Sequence, residues 1–346
     1  MPHLFSPLTL RGITLRNRIL MPSMCMYCAA KDGIATDWHL SHYHARARGG
    51  VGLVIMEATA VEPRGRISAN DLGLWDDAQI APLARIADLV HAEGGAIGVQ
   101  LAHAGRKAWS RDKGFSEETP IAPSAAAYSD EWNTPHAPTL DEIDAVVAAW
   151  QIAAQRALAA NLDVVEIHGA HGYLVHEFLS PVANHRDDAC GGELPNRMRF
   201  LLRVVDAVRE VWPVAKPLFV RLSSSDWIDG GLTLDDTVAI ARVLREHGVD
   251  LVHCSGGGMA GARPPSVEPG YMVPFAERVR RDAGIATAVV GLISEPAMAD
   301  AIVRNGQADL VALGRELLRH PHWPLDAARA LGYAIEWPKQ YERAKL

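Results

Sequence analysis

Short apolar runs alternate with helix-period patterns along the whole 346-residue chain. The runs predict strands at residues 19–21, 51–57, 96–101, 164–168, 218–222, 249–254, 287–290 and 310–313. Most are β-branched and apolar at successive positions, as parallel strands covered on both faces must be. The segments between them carry the 3.6-residue period and predict helices at 38–48, 78–93, 139–160, 196–212, 233–247, 275–283, 295–305 and 323–331. Within 139–160, Ile143, Val146, Val147, Trp150, Ala154 and Ala157 form one stripe, and Thr139 with Glu142 spells a capping box. Phe200, Leu201, Val204, Val205 and Val208 do the same before Pro213 ends their helix.

Eight such units without a linker predict an α/β protein, a (β/α)8 TIM barrel formed by residues 1–346 as a single domain. An open doubly wound sheet is the alternative. Residues 4–16, with Gly12 between apolar alternations, predict an N-terminal hairpin capping the barrel bottom. Residues 110–138, rich in Ser, Pro and acidic side chains, predict a surface excursion after the third strand.

Composition narrows the class. With 49% hydrophobic and 22% charged residues the chain has material for a large core. Its net charge is −7 and its basic residues are scattered, which argues against nucleic acid or an anionic membrane as partner. No apolar run approaches the ~20 residues of a membrane span. The first residues lack a signal-peptide pattern, and four cysteines make no disulfide framework, so a cytoplasmic protein is expected.

Barrel chemistry sits at the C-terminal ends of the strands. There the sequence places Cys25 and Tyr27, Glu57 and Ala58, Gln100 with His103, Arg106 and Lys107, then His168, His171 and Tyr173, Arg221, Gly291, and Gly314 with Arg315. Two imidazoles and a phenol within one short segment offer hydrogen-bond donors and a proton source. The glycines beside Arg315 suit either a phosphate site or merely tight turns. Gly256, Gly258 and Gly261 match G-x-G-x-x-G, but Pro264-Pro265 follows where a helix should begin, so no dinucleotide fingerprint is present. Cys25 and Cys28 lack a second cysteine pair for a structural zinc. His168 and His171 lack an evident carboxylate co-ligand, Glu166 being expected on the opposite side of its strand. No metal is expected.

Read together, Pro22-Ser23-Met24-Cys25-Met26-Tyr27, Gln100-Leu101-Ala102-His103-Ala104-Gly105-Arg106-Lys107, His168-Gly169-Ala170-His171-Gly172-Tyr173-Leu174, Asn184-His185-Arg186 and Gly314-Arg315-Glu316-Leu317-Leu318 resemble the Old Yellow Enzyme family, closest to its bacterial, thermophilic-type subgroup. The resemblance covers nearly the whole chain. It implies an FMN-containing ene-reductase fed by NAD(P)H and acting on enones, maleimides or nitro compounds. It also assigns roles. Pro22, Ser23, Met24, Cys25 and Ala58 would line the flavin. Gln100 would bond its pyrimidine edge and Arg221 its N1/O2 side, while Gly291, Gly314 and Arg315 would hold the phosphate. His168 and His171 would bind the substrate's oxygen, Tyr173 would donate the proton, and Tyr27 and Lys107 would border the site. Cys25 would modulate the flavin potential. In the tail, residues 335–346, Gln340-Tyr341-Glu342-Arg343 resembles the subgroup's tail, whose arginine enters a neighbouring active site, so a homodimer with Arg343 acting across it is expected. Other readings are a dienoyl-CoA-reductase-like FMN barrel and a flavin-binding sensor without catalysis.

Overall fold

The computed structural model describes residues 3–109 and 118–345. A two-stranded antiparallel hairpin, β1 (Leu8–Leu10) and β2 (Ile13–Leu15), opens the chain. Strands β3 (Ile19–Met21), β4 (Leu53–Ala60), β6 (Ala96–Ala102), β7 (Val164–Gly169), β8 (Leu218–Ser223), β9 (Leu251–Ser255), β10 (Ala286–Val289) and β11 (Leu310–Ala312) follow, all paired in parallel. A short strand, β5 (Leu72–Gly73), adds to the end of β4. The pairing of β3 with both β4 and β11 closes the ring. The architecture is the (β/α)8 barrel, and the open sheet is excluded.

The crossover helices are α1 (Asp37–Arg48), α2 (Ile80–Ala92), α3 (Leu140–Ala159), α4 (Leu174–Leu179), α5 (Leu194–Arg197), α6 (Arg199–Val211), α7 (Leu234–Glu246), α8 (Val273–Ala283), α9 (Pro296–Arg304), α10 (Arg315–Arg319) and α11 (Trp323–Leu331). The capping box opens α3: Thr139 Oγ1 accepts the Glu142 N–H, and Glu142 accepts the Thr139 N–H at 2.7 Å. The stripes read from sequence on α3 and α6 are buried against the sheet. Of the predicted excursion, residues 110–117 lie outside the described residues. Its remainder returns through a bridge between Ile121 and His136.

Strand alternation sorts the barrel interior into tiers. The lowest is apolar: Leu20, Leu53, Ile55, Val164, Phe219, Leu251 and Leu310 pack together, with Leu8, Leu10 and Ile13 of the hairpin closing the end. Above them stand Gln100, Glu166, Arg221 and His253, each at most 7% exposed. Higher still, at the strand ends, the same faces carry Ala102, His168, Ser223 and Ser255. Glu166 and His168, two residues apart on β7, therefore share the inward face. This corrects the expectation that Glu166 points away from His168.

Candidate active site

The first wall is the loop after β3. A β-bulge between Met56 and Ala58 takes Glu57 out of register with β6. The Glu57 carboxylate there accepts the Met26 N–H at 2.7 Å and meets His39 Nε2 at 3.1 Å. Tyr43 returns the support by accepting the Glu57 N–H at 2.9 Å. Thus a buried carboxylate fixes the backbone beside Cys25, and the next residue, Tyr27, takes a left-handed φ of 54°. Such a conformation in a bulky residue is held by its surroundings.

Pro22, Ser23 and Met24 of this loop line a cavity of about 480 Å³ together with Arg221, Gly291, Gly314 and Arg315. That volume lies within the range of cofactor sites. Gly291 has φ 135°, and a Cβ there would lie 3.2 Å from Met272 N, so glycine is required. Arg221 Nη1 donates to Ser23 Oγ at 3.0 Å, while its buried Nε has no partner among the described residues. A buried guanidinium with an unmet donor calls for an acceptor-rich ligand. A larger cavity of about 620 Å³ lies at the opposite end, between residues 334–338 and the ends of α1 and α2. Its Arg16 is spent on the carbonyls of Val51, Glu93 and Ala47, and its Arg48 on Glu93.

The second wall comes from β7 and its exit. The His168 and His171 rings stand edge to face at 5.1 Å, and His168 meets Tyr173 at 5.0 Å. His168 Nδ1 accepts the Ala170 N–H at 3.3 Å, so the neutral ring carries its proton on Nε2. His171 Nε2 lies 2.6 Å from the Ser255 hydroxyl. If that hydroxyl donates, the His171 proton sits on Nδ1, and both rings offer one N–H. Burial, with Arg221 next, holds both imidazoles well below the usual histidine range, so they stay neutral at physiological pH. His171 and Tyr173 keep an accessible edge although side chains surround them. Burial and then Cys25 push the Tyr173 phenol well above its usual range, so it keeps its proton. Lys107 Nζ lies 4.9 Å from the ring centres of both Tyr173 and Tyr128 and donates to His171 O at 2.9 Å. Cys25 and Tyr173 both pack against the small cluster of Ala58, Ala102 and Ala104.

Most predicted residues therefore converge. Pro22, Ser23, Met24, Arg221, Gly291, Gly314 and Arg315 share the cavity. Cys25, Ala58, Lys107, His168, His171 and Tyr173 border one another beside it, and Tyr27 is hydrogen-bonded to Cys25. Gln100 lies one tier lower, its Nε2 donating to Glu166 at 2.7 Å. Arg343 stands apart, exposed in the turn Lys339–Ala344. Sequence reasoning assigned no role to Glu166, His253, Ser255 or Tyr128. The strand alternation could have found the first three, because they share the inward faces of Gln100, Arg221 and His168.

The model of the NADH:flavin oxidoreductase / NADH oxidase family matches residues 3–332. An NADPH dehydrogenase of Geobacillus thermodenitrificans is 54% identical over 344 residues, 98% of each chain. Among solved structures, an old yellow enzyme homologue from Zymomonas mobilis is 27% identical, with a TM-score of 0.81 over 97% of this chain and 94% of that one. A 2-naphthoyl-CoA reductase shares the fold, with a TM-score of 0.89 at 24% identity over 96% of this chain and 52% of that one. The cavity fits a flavin's needs, with donors at Arg221 and Arg315 and glycine where a side chain would intrude. The chain belongs to the NADH:flavin oxidoreductase / NADH oxidase family, as an FMN oxidoreductase of the Old Yellow Enzyme type.

Proposed function

We propose that the protein is an NADPH-dependent ene-reductase acting on C=C bonds conjugated to a carbonyl or similar electron-withdrawing group. The observation that carries this reading is the grouping of His168, His171 and Tyr173 at the exit of β7, with the His171 and Tyr173 rings 5.1 and 5.0 Å from that of His168. Bound FMN would supply a hydride, drawn from NADPH, to the substrate's β-carbon.

As hydride arrives, negative charge builds on the substrate oxygen. The N–H groups of His168 and His171 meet that charge without reorganising, and each is worth about 3–4 kcal/mol by analogy with other oxyanion donors. Neutral rings suit the task, because their protons stay on the enzyme. Tyr173, held protonated, delivers the proton to the α-carbon as general acid. Pro22, Ser23, Met24, Cys25 and Ala58 would contact the flavin ring system, Gln100 and Arg221 its pyrimidine side, and Gly291, Gly314 and Arg315 its phosphate. Cys25, half-buried beside Tyr27, acts on the flavin potential rather than as a nucleophile. Tyr27 and Lys107 frame the substrate, and Arg343 of a second copy in a homodimer completes the frame. The relatives' name supports NADPH as reductant. No described helix is long and apolar enough to cross a membrane.

The test separates the two functions of the β7 segment. His168→Ala is expected to weaken binding of phenolic ligands and slow cyclohexenone reduction by about 10²–10³-fold, while NADPH still bleaches the flavin. Tyr173→Phe is expected to slow turnover and leave phenol binding intact. Identical behaviour of the two variants would sink this division of labour, and a preparation that holds no FMN would sink the reading itself.

A further inference from the structure

At the floor of the cavity lies a charged tier, of which the reaction above uses Gln100 and Arg221 but neither Glu166 nor His253. Glu166 is fully buried. Its Oε1 accepts from Gln100 Nε2 at 2.7 Å, and its Oε2 accepts from His253 Nδ1 at 2.8 Å. His253 is also fully buried, and its Nε2 has no partner among the described residues. Arg221 pairs in register with His253 on one side and with His168 on the other, and Glu166 pairs with Gln100. Four buried polar side chains thus share one layer above the apolar plug.

A buried carboxylate is stable only when donors face it. That requirement fixes the Gln100 amide. Its NH2 must turn to Glu166, which leaves its carbonyl oxygen for the other side. Among the described residues no donor reaches that oxygen. A ligand above Gln100 must then bring an N–H, as the N3–H of an oxidised or reduced flavin does. The same carboxylate sits near Arg221 as its buried countercharge. Burial pushes Glu166 up, but His253, Arg221 and Gln100 outweigh it and hold the group ionised. Burial, then Arg221, pushes His253 down against the pull of Glu166 and keeps it neutral. Within the tier the Glu166 carboxylate and the Arg221 guanidinium attract each other as opposite charges.

We propose that Glu166 and His253 are positioning residues for the flavin: Glu166 locks Gln100 with its amide oxygen toward the pyrimidine edge, His253 holds Glu166 in place, and the Glu166 charge tempers Arg221. The inference rests on the FMN reading and deepens it. Loss of the lock lets the Gln100 amide turn over, since a glutamine at 166 both donates and accepts. Loss of the anion leaves Arg221 uncompensated, which favours the electron-rich reduced cofactor.

The experiment compares the unmodified holoprotein with Glu166→Gln, reading FMN dissociation, dissociation of N3-methyl-FMN and the midpoint potential. In the unmodified protein N3-methylation is expected to weaken binding about tenfold, the worth of one hydrogen bond left unmade. In Glu166→Gln that penalty shrinks, because Gln100 can present its NH2 instead. The potential moves positive by about 30 mV, the equivalent of a tenfold change in a two-electron equilibrium. His253→Gln shifts the potential in the same direction by a smaller amount. An unchanged potential and an unchanged N3-methyl penalty in Glu166→Gln overturn the inference while FMN binding stands. Should Glu166→Gln fail to fold, the unmodified protein still decides, because N3-methyl-FMN bound as tightly as FMN overturns it. Protein that binds no FMN overturns this inference together with the functional reading beneath it.

Discussion

Glu177 is a fully buried carboxyl that the reaction leaves aside. Its Oε1 accepts the Arg106 N–H at 3.0 Å, its Oε2 has no partner among the described residues, and Arg106 Nε stays 4.0 Å away. Gly105, at φ 60°, lies so close that a Cβ would come within 2.4 Å of Oε2. Burial dominates over Arg106 and pushes the carboxyl up to about 8. At neutral pH the folded protein holds this proton, whereas the unfolded chain releases it near ~4.3. The native state therefore binds more protons between those values, and stability falls as pH rises through them. The slope is at most about 1.4 kcal/mol per pH unit from this group. Glu177→Gln is expected to keep the N–H bond and flatten the dependence of Tm on pH between 5 and 8. A variant whose melting points fall as steeply as those of the unmodified protein would refute the assignment.

The exits of β7 and β9 are built as one unit. Gly258 has φ 110°, and a Cβ on it would sit 2.0 Å from the His171 carbonyl carbon. A Cβ on Gly172 would sit 2.2 Å from Gly258 O. Lys107 Nζ donates to His171 O at 2.9 Å and to Gly258 O at 3.3 Å, tying β6's exit to the pair. His171 itself stands at φ 61°, a left-handed conformation that these surroundings hold. Gly258→Ala is expected to displace His171, lower Tm and weaken phenol binding about tenfold or more, the loss of one good donor, with FMN absorbance retained. Unaltered phenol affinity would show that the two exits move independently. These contacts also mark where sequence reading stops. The eight strands, their helices and the capping box were legible because apolar period and cap chemistry are local. The bulge at Glu57 was not, so the second strand was expected to stop at 57 and instead runs to Ala60. His253 read as one residue of an apolar run, and Ser255 as the start of a glycine-rich exit. Their roles come from partners on other strands, Glu166 and His171. The misplacing of Glu166 was avoidable, since residues two apart on a strand share a face.

Across the whole molecule the two ends of the barrel are made for different work. One end is sealed by the hairpin and the apolar tier, and the other holds the cavity, Arg221 and the paired histidines. Residues 334–338 leave α11 and line the cavity at the sealed end with Phe5, Arg16 and Arg48. The Tyr341 ring then packs edge-on against His322 at 5.4 Å. Among the described residues, none of the tail lines the site cavity of its own chain. Arg343 is exposed and forms no ion pair among the described residues. An arginine so placed can serve an active site by reaching one in a second copy, which is the homodimer proposed above. Arg343→Ala is then expected to lower kcat/KM for enones while FMN affinity and bleaching by NADPH persist. Subunit exchange makes the test decisive. A mixed dimer of Arg343→Ala and Tyr173→Phe chains has one site with Tyr173 present and Arg343 supplied by the partner. Mixing two impaired variants should therefore recover activity that neither has alone. If Arg343 acted within its own chain, or on nothing, every site in the mixture would stay as it was and no recovery would appear.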